Sequence, residues 1–264
     1  MYAFIFFAEP GIGYICALMA KFAHDTVVPY QHSTLQKKEQ VAEMFNDISH
    51  RYDFLNRFLS AGIDMGWRKK AIKQLAGINP KNILDVACGT ADMAILSWKM
   101  LHPEKVTGID ISEGMLQIGR QKIDKAGIKA IELLKGDSEA INFKTNSFQA
   151  VTVAFGVRNF QNLQQGLSEI LRVLVPGGKL VVLEFSKPKS QLVKTFYNLY
   201  MKMVTPNMGK LFSKNRHAYE YLDASIQKFP EGNEFLEILD NAGFKNTFKK
   251  SLSLGICSIY CGEK

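Results

Sequence analysis

The feature that most limits what this chain can fold into is an alternation that begins at Asn82. Short Val/Ile/Leu runs at 82–87, 106–110, 131–135, 150–155 and 179–185 are separated by stretches of helical spacing at 91–101, 113–126 and 162–174. Strands and helices alternating at this spacing predict a parallel sheet with helices on both faces. "VPGGKLVVLEF" places a Pro-Gly-Gly turn before the strongest strand. After Ser186 the rhythm breaks. Residues 187–230 form an insertion rich in lysine and aromatic residues. A helix from Glu231 to Asn241 and strands at 244–251 and 255–261 then close the chain as an antiparallel hairpin. The fold class is therefore α/β, with a mostly parallel seven-stranded sheet. Apolar positions at Val41, Met44, Phe45, Ile48, Trp67, Ile72 and Leu75 predict helices across 35–78, ahead of the first strand. Trp67 is expected to anchor the core.

One domain is expected over 35–264, with 35–78 as a helical lid, while residues 1–34 stand outside the core. The opening "MYAFIFFAEPGIGYICALMA" is broken by Glu9-Pro10-Gly11. It is short of the roughly 20 apolar residues of a membrane span and has no basic start, so Met19 is read as the natural first residue, with a membrane-touching N-terminal segment as the alternative. The four cysteines, Cys16, Cys88, Cys257 and Cys261, form no disulfide framework and fit a reducing cytoplasm. No metal site is expected.

The first strand runs into "ILDVACGTAD", with Asp85 at its mouth and Gly89 as the one glycine of the turn. A dinucleotide pyrophosphate would want G-x-G-x-x-G leading into a helix. A carboxylate there repels phosphate and attracts a cation. S-adenosyl-L-methionine carries an ammonium and a sulfonium and no phosphate, so the sign favours it over NAD. Asp110, ending "VTGID", stands where an acid reaches ribose hydroxyls. Asp137 and Ser138 follow the third strand and are expected around the adenine. For Asp110 and Asp137 the plainer reading, an acid that caps local backbone, stays open.

These stretches, with "GDSEAINF" and "VLVPGGKLVVLEFS", resemble the class I methyltransferases with their Rossmann-like fold. More narrowly, "YDFLNRFLSAGIDMGW" (52–67), "RVLVPGGKLVVLEFS" (172–186) and "VAFGVRNF" (153–160) are similar to the C-methyltransferases of menaquinone and ubiquinone biosynthesis, as is "FSKNRHAYEYLDASIQKFP" (212–230). The resemblance runs from about Val41 to the C-terminus. It departs at Leu55 (usually Met), Asp64 (usually His), Val175 (usually Lys), Ala154 (serine in some members) and the glycine-poor turn.

The resemblance implies methyl transfer from S-adenosyl-L-methionine to a ring carbon of a polyprenylated quinol. Demethylmenaquinol is the acceptor favoured here. The alternatives are the methoxy-benzoquinol precursor of ubiquinone and an RNA methyltransferase of the same fold. Asp85, Gly89 and Thr90 are then expected at the methionine end of the cofactor, Asp110 at the ribose, and Asp137 and Ser138 at the adenine. Arg158 would stabilise a developing phenolate, Asn159 would add a hydrogen bond, and Tyr52 would close over the cofactor or donate to the quinol.

A net charge of +8 decides nothing alone. The insertion, however, interleaves Lys187, Lys194, Lys202 and Lys210 with Phe196, Tyr200 and Phe212. That pattern suits an interfacial helix on anionic lipid. Lysines on phosphates with aromatics on bases is the other reading. With a membrane-dwelling substrate, contact with an anionic membrane surface is favoured and nucleic acid is not expected. The expected location is cytoplasmic, peripheral at the inner face of the cell membrane, and the chain could form a homodimer.

Overall fold

The computed structural model describes residues 22–60, 62–188 and 216–264. The expectations about residues 1–21 and about most of the basic-aromatic insertion, 189–215, fall outside the described residues. The strands are β1 (Asn82–Val86), β2 (Lys105–Asp110), β3 (Ile131–Lys135), β4 (Phe148–Ala154), β5 (Leu174–Phe185), β6 (Lys245–Leu252) and β7 (Cys257–Glu263). They form one sheet in the order β3-β2-β1-β4-β5-β7-β6. The first five strands pair in parallel, and β7 lies antiparallel to both β5 and β6.

Helices α1 (Lys37–Leu59) and α2 (Asp64–Ile72) precede the sheet. Helices α3 (Asp92–Leu101), α4 (Glu113–Lys125) and α5 (Leu163–Val173) are the crossovers, and α6 (Arg216–Lys228) and α7 (Asn233–Asn241) follow β5. Successive strand residues point to opposite faces and sort into two cores. Ile83, Val181 and Leu183 pack with Trp67, Ala71 and Met93 of α2 and α3 on one face. Leu84, Val86, Leu180 and Val182 pack with Leu167 of α5 and Phe235 of α7 on the other. Cys257 and Cys261 share the first core as free thiols.

Two boundaries differ from the sequence reading. Strand β5 starts before the Pro-Gly-Gly segment, because Leu174 already pairs with Phe148 and the register shifts before Lys179 meets Ala150. The turn is thus a bulge inside the strand, with Gly177 at φ +75°. At the N-terminus, packing begins ahead of residue 35. His24 is fully buried, edge-on to Phe229 with ring centroids 5.4 Å apart, and its carbonyl accepts from Lys37 Nζ at 2.8 Å. The core therefore includes part of the stretch expected outside it.

The chain order reverses between β1 and β4, its neighbours on either side leading off in opposite directions. Ligands of open α/β sheets sit at such a switch point, beyond the carboxyl ends of the strands.

Candidate active site

A cleft of about 630 Å³ opens at that switch point. Its floor is the turn after β1. Gly89 holds φ +53°, and its N–H donates to Asp110 Oδ2 at 2.8 Å. Ala87 and Ala91 hold the same left-handed backbone, at φ +53° and +66°. The turn therefore has three left-handed positions and fills two with alanine. The methyl of Ala87 fits because residue 156 is glycine: a Cβ there would lie 2.6 Å from it.

Of the residues expected at the cofactor, Gly89, Asp110, Asp137 and Ser138 line the cleft. Asp110 also accepts from the Ser112 N–H at 2.8 Å, and burial pushes its carboxyl above the usual range. Asp137 accepts from Lys38 Nζ and from the Glu139 N–H, both at 2.9 Å. Both acids thus cap local backbone and face the cleft at once. Asp85 and Thr90 do not line it. Asp85 accepts from Thr152 Oγ1 at 2.7 Å inside the sheet, while its Oδ2 is buried with no partner among the described residues. Burial raises its pKa to about 7. Thr90 Oγ1 donates instead to Asp53 Oδ1 at 2.5 Å.

A second cavity of about 760 Å³ adjoins the first. The two share Phe45, Tyr52 and Phe155 as walls. Met44, Ile48, Phe185 and Leu222 make the second chamber apolar, and Asn56, Ser60, Asp64, Arg158 and the phenols of Tyr52 and Tyr221 are its polar groups. Arg158 Nη1 donates to Glu184 Oε1 and to the Phe155 carbonyl, each at 2.7 Å, and its guanidinium stands 5.6 Å from the Phe185 ring centre. Burial pushes the Glu184 carboxyl up, and the Arg158 charge pulls it back. Asn159 lines the first cavity and accepts from Tyr221 Oη at 3.0 Å. Burial raises the Tyr52 phenol above its ordinary value.

Helix α1 lies across the cleft and is tied down by polar contacts. Lys38 holds Asp137 beyond β3, and Asn46 accepts from Ser112 Oγ at 2.8 Å and from the Gly114 N–H at 2.9 Å beyond β2. Beyond β1, Asp53 meets Thr90 and Arg57 meets Asp92, while Asp53 also accepts from Lys122 of α4. The loops beyond β1, β2 and β3 are thus fastened to the same helix.

Sequence reasoning missed Glu184, Asp53, Ser60 and Asp64 as site residues, and Lys122 as the cation that meets Asp53. Glu184 sits in "VVLEF" and reads as part of a strand; its one signal is an acid inside an apolar run. Asp64 was noticed only as a departure from the resembling family. Trp67 is a core residue as expected, with Nε1 donating to Ser253 Oγ at 2.8 Å.

Among solved structures, the chain resembles an S-adenosylmethionine-dependent methyltransferase of Thermotoga maritima, at TM-score 0.58 and 19% identity over 84% of this chain and 99% of that one. It also resembles a [4+2]-cyclase, at TM-score 0.62 and 15% identity over 86% and 96%. These likenesses show the fold, and the second is a reminder that the fold alone does not set the reaction. Among proteins, it is 43% identical to the demethylmenaquinone methyltransferase of Bacteroides fragilis over 92% of this chain and 99% of that one. It is 44% identical to the ubiquinone/menaquinone biosynthesis C-methyltransferase UbiE of Geobacter sulfurreducens over 87% and 90%. The description of the ubiE/COQ5 methyltransferase family matches residues 33–264. With that span and those identities, the chain belongs to the ubiE/COQ5 methyltransferase family.

Proposed function

We propose that this chain transfers a methyl group from S-adenosyl-L-methionine to a ring carbon of a polyprenylated quinol, with demethylmenaquinol as the acceptor. The observation that carries this reading is the pair of adjoining cavities, one acidic and one apolar, with Phe45, Tyr52 and Phe155 between them.

The first cavity suits a cationic, phosphate-free ligand. Among the described residues, Asp110, Asp137 and Glu139 line it against one lysine, Lys38, which Asp137 already pairs. Behind the turn, the orphaned Oδ2 of Asp85 would accept from an ammonium, directly or through a water. In this reading Gly89 and Asp85 serve the methionine end, Asp110 the ribose, and Asp137 with Ser138 the adenine. Thr90 would act at one remove, by holding α1 through Asp53. When bound, S-adenosyl-L-methionine supplies an electrophilic methyl.

The chain's task is then to align a ring carbon with that methyl and to help a phenol lose its proton. A ring carbon of a quinol becomes more nucleophilic as the phenolate. The Arg158 cation, in apolar surroundings, stabilises that developing charge more than it would in water. An arginine does not itself accept the proton. Asn159 adds a second hydrogen bond, and the Tyr52 phenol, held protonated by burial, serves as a donor. Residues 35–264 form the methyltransferase domain in this scheme, with 35–78 as its lid. The basic-aromatic insertion, 187–230, would rest on anionic lipid, which liposome flotation against neutral lipid tests.

The deciding experiment follows labelled methyl from the cofactor into an organic extract containing demethylmenaquinol. Label in the quinone fraction is expected; label in RNA alone overturns the proposal. The quinones of a deletion strain separate the two acceptors: accumulated demethylmenaquinone supports the first. An accumulated methoxy-benzoquinol supports the second, which the name of the Geobacter relative keeps open.

Arg158→Ala alone is a poor test, because it would strand the buried Glu184 carboxylate at a cost of about 3–5 kcal/mol. Arg158→Met with Glu184→Gln removes both charges. Turnover is expected to fall about 10²–10³-fold with cofactor binding retained. Turnover near wild type would show that Arg158 has no electrostatic part.

A further inference from the structure

Oxidised and reduced forms of a quinone differ by two hydrogens on two oxygens. Their ring and tail are almost the same in shape, so apolar walls cannot tell them apart. Only hydrogen-bond polarity can, since a quinone oxygen solely accepts and a quinol hydroxyl also donates. Among the described residues, the second cavity has one acceptor-only side chain, Asp64. It is 2% exposed. Its Oδ1 accepts from Ser60 Oγ at 3.0 Å, while Oδ2 is held by Arg57 and lies 3.6 Å from Arg68 Nε.

Two further details fix that carboxylate in place. Arg57 is also bonded to Asp92, and Arg68 is wedged with its guanidinium 5.2 Å from the Phe155 ring centre. The carboxylate is therefore braced from behind, and Oδ1 retains acceptor capacity beyond Ser60. The other charged group of the chamber, Arg158, is donor-only and accepts no preference for the reduced form: it bonds equally well to a carbonyl. Asn56, Ser60 and the phenols of Tyr52 and Tyr221 both donate and accept, so they can adapt to either partner.

We propose that Asp64 makes this chamber selective for the reduced ring, by accepting a hydrogen bond from a quinol hydroxyl and leaving a quinone carbonyl facing an acceptor with no hydrogen to give. This rests on the quinol reading given above and assigns a specificity-determining residue within it. The selection is physically steep, because a quinone carbonyl set against the carboxylate is stripped of water and gains no hydrogen bond there. Sites built to bond a hydroxyl reject the analogue that lacks it far more strongly than apolar pockets reject a change of size.

The test is anaerobic calorimetry with 2-prenyl-1,4-naphthoquinone and its reduced quinol, on the full chain with S-adenosylhomocysteine present. The wild type is expected to bind the quinol about tenfold or more tightly than the quinone, since one hydrogen bond to a charged group is worth about that ratio. Asp64→Asn, whose amide can also donate, is expected to bring the ratio to within about threefold. Asp64→Glu, still acceptor-only, is expected to keep a preference for the quinol. Should Asp64→Asn fail to fold, Asp64→His is read in the same way. A wild type that binds both forms alike, or an uncharged variant that keeps the full preference, overturns the assignment of Asp64 alone. A wild type that binds neither form and methylates no quinol sinks the quinol reading itself.

Discussion

Ala87 holds a left-handed backbone, at φ +53°, in a turn whose neighbouring glycine adopts the same φ without strain. For an L-residue that conformation costs roughly 1–2 kcal/mol, and replacing it with glycine returns about 0.4–1 kcal/mol to the unfolded chain's entropy. The two nearly offset, with strain relief the larger. Ala87→Gly is therefore expected to raise unfolding stability by about 0.5–1 kcal/mol, read as the midpoint of a urea transition. Gly89→Ala should lower it and narrow the cleft floor, since a Cβ there would stand 4.0 Å from Tyr52 Cε1. The same turn shows how local sequence can mislead. "CGTAD" reads as glycine-poor, yet the backbone still follows the glycine path at 87, 89 and 91. Its lone strand-end carboxylate is turned into the sheet by Thr152, 67 residues away, and no local spacing announces that bond.

At the scale of the element, the turn at Ala23–Thr26 behaves as a latch on α6 and the segment after it. His24 sits between Phe22 and Phe229, with Asp25 Oδ1 3.2 Å from its Nε2 and the Lys37 ammonium bonded to its carbonyl. Burial, and then the Lys37 charge, push its pKa down to about 3. The unfolded ring titrates near 6.5, so the docked neutral form contributes stability that is complete above that pH and is lost progressively as pH falls below it. Asp85 acts with the opposite sign. Its raised pKa, about 7, makes the folded form the better proton binder between that value and the usual carboxylate range, so its contribution grows as pH falls there. Comparing His24→Phe with wild type cancels the Asp85 effect. The wild type is expected to lose more of its urea midpoint between pH 7 and pH 5 than the variant; equal losses would show that His24 does not titrate with folding. The strands and crossover helices were legible because each is a local apolar pattern. The latch was not. Its bond to the core depends on Phe229, more than 200 residues along the chain, and the apolar stretch before it argued for an extension.

Across the whole molecule, α1 is fastened to three loops and to α4 through Lys38, Asn46, Asp53 and Arg57. Two of these are ion pairs whose partners are partly open to solvent, Lys38–Asp137 and Asp53–Lys122. Contacts of this kind are screened by salt, with a Debye length near 3 Å at 1 M. Raising salt from about 0.1 to 1 M is expected to increase the rate at which a protease cuts α1, while the sheet stays resistant. Lys122→Met should reproduce that increase at low salt. Identical cutting rates at both salt levels would mean that apolar packing of Val41 and Met44, and not charge, holds the helix.

The wall shared by the two cavities has a kinetic consequence. Phe45 and Tyr52 both belong to α1, the helix fastened over the first cavity, yet they also bound the second. A ligand that draws α1 down therefore finishes a chamber it never enters. Because such coupling is reciprocal, an occupant of the chamber must in turn slow the escape of whatever lies beneath the helix. Whichever occupant arrives first, the two are then expected to tighten each other's hold by the same factor, through one helix that serves two rooms.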